Sequence, residues 1–182
     1  KYKVLHGDNS ILFARLNQKI TVELLLGFTL SFLFITLTMI VGLKNLRYGL
    51  LSIVPNLFPA TIVFGIWGFF VGELNPYILM LFPISIGVVV DDSVHVLSKY
   101  IRARKDGLMP EDAVQYSIER AGSAITITTM ALAIGTCILL FSSTIYFQSV
   151  AQMLTPIIVM ALVLDLLFLP PLLIKFDNWY EG

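Results

Sequence analysis

The chain reads as a series of long apolar windows separated by short polar connectors. Five windows stand out, at roughly 20–43, 48–71, 76–97, 123–142 and 150–174. A helix needs about 20 mostly apolar residues to cross a bilayer, so the pattern predicts five transmembrane helices. Most of the connectors are short, which suits antiparallel neighbours. Composition points the same way: 57% of the residues are hydrophobic and 13% are charged, where soluble domains carry about 45–50% and about 25%. The expected fold class is all-α and integral to the membrane.

One connector is longer. Residues 99–121 lie within "KYIRARKDGLMPEDAVQYSIERAG", with a turn signal at Asp106-Gly107. Pro110 suits a helix start, and Glu111 and Asp112 suit a first turn. This predicts a short amphipathic helix on the cytoplasmic surface; a merely solvated connector is the alternative. Lys44 and Arg47 fall between windows one and two, and Lys99, Arg102, Arg104, Lys105 and Arg120 fall between three and four. Lys175 follows window five, while 72–75 and 143–149 hold no Lys or Arg. Basic residues favour the cytoplasmic side, so the C-terminus is expected inside and the N-terminus outside. The basic residues within 1–19 oppose this orientation unless a large external domain precedes them, because long translocated domains escape the rule. Residues 1–19 are accordingly expected to be the tail of an upstream extracytoplasmic domain or linker. Residues 20–175 form the transmembrane domain, and 176–182 a cytoplasmic tail. On this reading the chain is a piece of a larger protein.

The charges inside the windows carry the candidate chemistry. In "PISIGVVVDDSVHVLSKY", Asp91 and Asp92 end an apolar run. Asp91 lies about 15 residues into its window, or roughly 22 Å along a helix. A carboxylate at the centre of a transmembrane helix costs about 2.5–3.5 kcal/mol even on the lenient insertion scale. Neighbouring side chains diverge by about 100°, so the pair must face a protein interior or a watery cavity. A carboxylate pair so placed is expected to exchange protons and to titrate as a unit. His95 is one turn from Asp91 on the same face, and is a candidate exit for the proton; the alternative is a histidine that only caps local polar groups.

The fourth window brings hydroxyls to the same depth. Ser123, Thr126 and Thr129 share a stripe that continues to Ala133 and Thr136. Thr126 and Thr129 are the expected partners of the aspartates, unless they bond only their own helix backbone. Asp165, in "VMALVLDLLFLPP", is a third intramembrane carboxylate, expected with Ser123 to extend the relay or to pack helices. Glu23 reads as interfacial and Glu73 as solvated. Trp67, Trp179 and Tyr180 fit interfacial or lipid-facing positions.

Other classes find little support. A net charge of zero gives a nucleic-acid partner no electrostatic footing. A single cysteine, Cys137, forms no internal disulfide, and no cluster of metal-ligand spacing occurs. There is no P-loop. No nucleophile–base pair marks an enzyme, and two adjacent aspartates are a poor match for an aspartyl protease. No cofactor is expected.

Several stretches together resemble a known family. They are "GVVVDDSVHVLSKYIRARKDG", "EDAVQYSIERAGSAITITTMALAIGTCILLFSS", "VPNLFPA" at 54–60 and "LDLLFLPPLL" at 164–173. Together they resemble the carboxyl-terminal half of resistance–nodulation–division (RND) transporters, in the MMPL-like branch that exports hydrophobic and lipid-like substrates. The matching motif is Gly-x-x-x-Asp-Asp from Gly87 to Asp92; the lipid exporters usually carry Asp-Tyr where this chain has Asp91-Asp92. The resemblance covers about residues 20–175. It implies half of an RND-type bundle whose N-terminal half and porter domains lie elsewhere in the same protein. It also implies a dimer or trimer in the inner membrane, surrounded by lipid, and export of a hydrophobic substrate driven by the proton-motive force. Asp91 and Asp92 would carry the proton. The alternatives are a sterol- or lipid-sensing bundle without net transport, and a membrane scaffold for a protein partner.

Overall fold

The structure, a computed structural model, describes residues 6–72 and 76–181. Among the described residues every regular element is helical. The helices are α1 (His6–Leu43), α2 (Leu46–Leu51), α3 (Ile53–Phe70), α4 (Pro76–Lys105), α5 (Pro110–Ser117), α6 (Ser123–Ile138), α7 (Ile145–Val163) and α8 (Leu169–Glu181). Five stretches are long and apolar enough to cross a membrane: Val22–Leu43, Leu46–Phe70, Ile78–Lys105, Pro110–Phe141 and Ile145–Trp179. The chain is a multi-pass membrane protein.

These spans arise from shorter helices joined end to end. Asn45 caps α2, its side chain accepting a 3.0 Å hydrogen bond from the Arg47 amide. Ser52 then carries α2 into α3. A π-helical turn, Ile118–Gly122, joins α5 to α6. A second, Leu164–Phe168, joins α7 to α8, closed by a bond from the Leu169 amide to the Leu164 carbonyl. Pro170 and Pro171 follow directly. A proline removes a donor and crowds the carbonyl four residues back, and the wider turn accommodates that loss without breaking the rod.

Three spans exceed the membrane. They hold 28, 32 and 35 residues, or about 42, 48 and 52 Å at 1.5 Å per residue, against about 30 Å of hydrocarbon. The excess lies at the charged end. There α4 stays helical through Lys99, Arg102 and Arg104 to Lys105, so the first seven residues of the expected connector are helix. The short helix α5 forms with Pro110, Glu111 and Asp112 in its first turn. It does not lie apart from the bundle. Pro110, Ala113 and Ser117 are buried, and α5 packs against α4 and α8. Residues 176–181 likewise continue α8 rather than leaving it as a tail. At the other terminus, α1 is helical from His6, so residues 6–19 run straight into the first span. Residues 1–5 lie outside the described residues, as does Glu73. The Tyr180 side chain does too; Trp179 is largely exposed.

α4 is the central helix, packed against α1, α3, α5 and α7. At the charged end Val96, Leu97 and Tyr100 are fully buried with Leu169 and Leu173. At the other end Ile86 and Val89 pack with Ala60, Phe64, Met153 and Ile157. The periphery is apolar: Leu25, Leu30 and Phe34 of α1 and Ile127, Ile134 and Ile138 of α6 are exposed, as lipid-facing residues should be. Glu23 pairs with Lys19 at 3.8 Å on the exposed start of α1. Gly49 is needed where α2 turns back on α1. A Cβ there would lie 2.6 Å from Ile40 Cγ1 and 2.8 Å from Ile40 Cα.

Candidate functional site

The adjacent aspartates face opposite ways. Asp92 turns inward between α4 and α6, where Thr129 Oγ1 donates to its Oδ2 at 2.6 Å. Thr129 is buried. Asp91 turns outward with 79% of its side chain exposed. His95 stands beside it, its Nε2 3.8 Å from Asp91 Oδ1 and 58% exposed. These two continue an exposed stripe on α4 that starts at Gly87. Gly87 has nothing within 4 Å of where a Cβ would stand.

A small cavity of about 90 Å³ connects the two carboxylates. Asp91, Asp92, Thr128 and Thr129 give it polar walls, and Val88, Leu132, Ile158 and Ala161 give it apolar ones. A cavity of that size has room for several waters, and water needs the polar partners this one offers.

Not all the hydroxyls of α6 take part. Thr126 Oγ1 donates to the Gly122 carbonyl at 2.7 Å, and its side chain borders a different cavity, with Ser123, Ile118 and Leu166. The structure therefore brings Thr129 to Asp92 but not Thr126 or Ser123. A spacing of three sets Thr126 on nearly the same face, but a threonine hydroxyl can always turn to its own helix carbonyl. Thr128 lines the Asp91–Asp92 cavity instead. Thr136 lies deeper, its hydroxyl 2.9 Å from that of Thr155 on α7.

Asp165 forms a second polar centre, reached from α4 through Ser93, the residue after Asp92. It is 1% exposed and sits on the π-helical turn after α7, a feature that often marks functional positions. Ser93 Oγ lies 2.6 Å from Asp165 Oδ1 and 2.8 Å from Asn56 Oδ1. One hydroxyl hydrogen cannot serve two acceptors. The set closes when Asp165 carries a proton of its own, or when the Asn56 amide is turned to present its N–H. Asp165 Oδ2 is buried with no partner among the described residues. The centre is one hydrogen short. Ser93 and Asn56 were not anticipated, although both stand in recognisable places: Ser93 follows the aspartates and Asn56 is the lone amide of "VPNLFPA".

A third polar centre, also unanticipated, lies at the charged end. Asp177 is 5% exposed. It accepts hydrogen bonds from Tyr48 at 2.8 Å, Tyr100 at 2.6 Å and Arg104 Nε at 2.8 Å. Arg104 Nη1 also donates to the Leu108 carbonyl at 2.7 Å. This cluster ties α2, α4 and α8 together. Among the described residues no three His, Cys, Asp or Glu side chains converge as metal ligands would.

A central helix with paired carboxylates, set in an apolar bundle of five spans, fits a transporter-like transmembrane domain. The sequence matches the MMPL family over residues 7–179, and the chain belongs to that family. Its members are transporters rather than classical enzymes. No curated protein matches the chain.

Proposed function

We propose that this chain is the transmembrane half of an exporter of hydrophobic or lipid-like substrates, driven by the proton-motive force, with Asp92 and Asp91 as the proton carriers. The observation that carries the reading is the placement of Asp92. It is half-buried in an apolar bundle, bonded across two spans to Thr129, and borders a cavity with room for water. A proton on Asp92 removes its charge and converts one carboxylate oxygen from acceptor to donor. That changes the contact between α4 and α6. One proton moved down 100 mV supplies about 2.3 kcal/mol, enough to shift an equilibrium between two helix arrangements that bind the proton differently. His95, beside Asp91, leads toward the charged end, which this reading places in the cytoplasm at the inner membrane. Asp165, Ser93 and Asn56 give a second place to lodge a proton.

The open stripe of α4 supports the partner in this reading. Asp91 and His95 cannot face acyl chains without a cost of about 2.5–3.5 kcal/mol per charge. They face a second helical bundle, the N-terminal half of the same protein, whose close approach Gly87 permits. The porter domains and the homo-oligomer belong to that larger assembly. Export of a hydrophobic molecule is supported by an apolar groove of about 320 Å³ between α1 and α4, lined by Leu24, Leu25, Phe28, Leu79 and Phe82.

The same groove favours a second reading, a sterol- or lipid-sensing bundle that binds its ligand without transport and ignores a proton gradient. Infrared difference spectroscopy of the intact protein in nanodiscs, titrated from acid to alkaline pH, separates the two. The exporter predicts a carboxyl signal that changes with protonation and is lost in Asp92→Asn. An unchanged spectrum in that variant refutes the proton carrier.

A further inference from the structure

We propose that a basic pocket between the C-terminal ends of α1 and α4 binds the phosphate of an anionic phospholipid headgroup. The pocket holds about 250 Å³ and is lined by Gly42, Lys44, Ser98, Ile101, Arg102 and Lys105 among others. Three of these are cations, and no carboxylate lines it. Among the described residues none of the three cations lies within ion-pair distance of an acidic group. Cations gathered between transmembrane helices at the membrane surface recognise phosphate-bearing headgroups.

Depth selects a lipid over a soluble anion. The first apolar window opens near residue 20 and the third near residue 76. About 20 residues cross the hydrocarbon, which brings the boundary to within a turn of Gly42 on α1 and of Ser98 on α4. Both residues line this pocket, so two helices counted separately set it at the headgroup level. In the turns before it, α1 exposes Leu37 and Val41, a surface for acyl chains. Asp91 lies about 10 Å away along α4, so the pocket is distinct from the carboxylate cavity.

Lys44 adds an independent observation. It has φ 50°, the left-handed region, and is the only such non-glycine among the described residues. The position after a helix end in this conformation favours glycine. A lysine here is placed against backbone preference, at the mouth of a site with two other cations.

This gives a variant that separates binding from folding. Lys44→Gly removes the charge and relieves the backbone. The test titrates the intact protein in detergent with phosphatidylglycerol or phosphatidylcholine and counts bound lipids by native mass spectrometry. Phosphatidylglycerol should be retained over phosphatidylcholine. Lys44→Gly should lower that retention about fivefold, and Lys44→Gly with Arg102→Gln and Lys105→Gln about a hundredfold, at the usual increment per basic residue near anionic lipid. Lys44→Gly should melt no lower than the parent, and Lys175→Gln, outside the pocket, should bind normally. Equal retention of both lipids, or binding that survives the triple variant, overturns the proposal. So does an equal loss in Lys175→Gln, which would mark diffuse surface charge. Displacement of phosphatidylglycerol by millimolar inorganic phosphate overturns the lipid assignment and gives the pocket to a soluble anion.

Discussion

Asp92 on α4 and Thr129 on α6, 37 residues apart in the chain, are joined by a 2.6 Å hydrogen bond. Asp91, the next side chain along, has 79% of its surface open. One carboxylate is held within the five-span bundle and the other is offered to whatever covers it. The two aspartates are therefore not equivalent, and substitutions at each should fail differently.

Thr129→Val keeps the shape of the side chain and removes the donor. A hydrogen bond between transmembrane helices contributes only about 0.6 kcal/mol on average, so the folded state should survive with a small loss of thermal stability. Proton-coupled transport, measured in proteoliposomes, should fall at least tenfold, and Thr129→Ser should restore most of it. A transport loss no greater than the stability loss would reduce Thr129 to a packing residue. Thr126→Val should leave transport near normal, because its hydroxyl serves the Gly122 carbonyl.

Gly87→Leu tests the open stripe. Among the described residues nothing lies within 4 Å of where its Cβ would stand, so the packing of these five spans should be little affected. In the intact protein a second bundle approaching Asp91 would meet that side chain. The expected result is a lower melting temperature and lost transport in the whole protein, while Gly65→Leu, on the exposed face of α3, is tolerated. Full transport by Gly87→Leu would leave the stripe facing lipid.

Much of this arrangement was legible from the apolar windows, because a span must satisfy its backbone as helix and bury or expose about 20 residues in lipid. The pairing of the Asp91–Asp92 level with the fourth span followed from depth alone. The inward partner was not legible: neighbours about 100° apart leave either aspartate free to turn in until α6 and α7 are packed. Choosing Thr129 over Thr126 likewise needs the hydroxyl directions. Asp177 escaped because a carboxylate two residues past Lys175 reads as a solvated tail. It is buried because the last three spans exceed the hydrocarbon thickness and pack against one another beyond it. Asn56 escaped because a lone amide in an apolar run does not reveal its partner.

Gly49→Ala should destabilise through backbone crowding. The added Cβ would lie 2.8 Å from Ile40 Cα, an atom that moves only with the helix. Overpacking of this kind costs about 1–3 kcal/mol. Thermal unfolding in detergent should show it, whereas Gly135→Ala, where the added atom meets nothing within 4 Å, should be neutral or slightly stabilising. Equal melting of the two variants would mean that α2 and α1 separate easily.

The Asp177 cluster makes the sharpest stability prediction. Its carboxylate accepts from Tyr48, Tyr100 and Arg104, which reach it from two other helices. Removing it by Asp177→Ala leaves the largely buried Arg104 cation without its carboxylate, a loss of about 3–5 kcal/mol. Tyr100→Phe removes one bond to a charged acceptor, about 1.5–3 kcal/mol. Tyr48→Phe should cost less than Tyr100→Phe, since Tyr48 is only half-buried and Tyr100 is fully buried. Because the three donors share one acceptor, the losses should not add. Asp177→Ala with Tyr100→Phe should melt close to Asp177→Ala alone. Strict additivity in that double variant would show that Tyr100 holds the charged end together by packing rather than through its bond to Asp177.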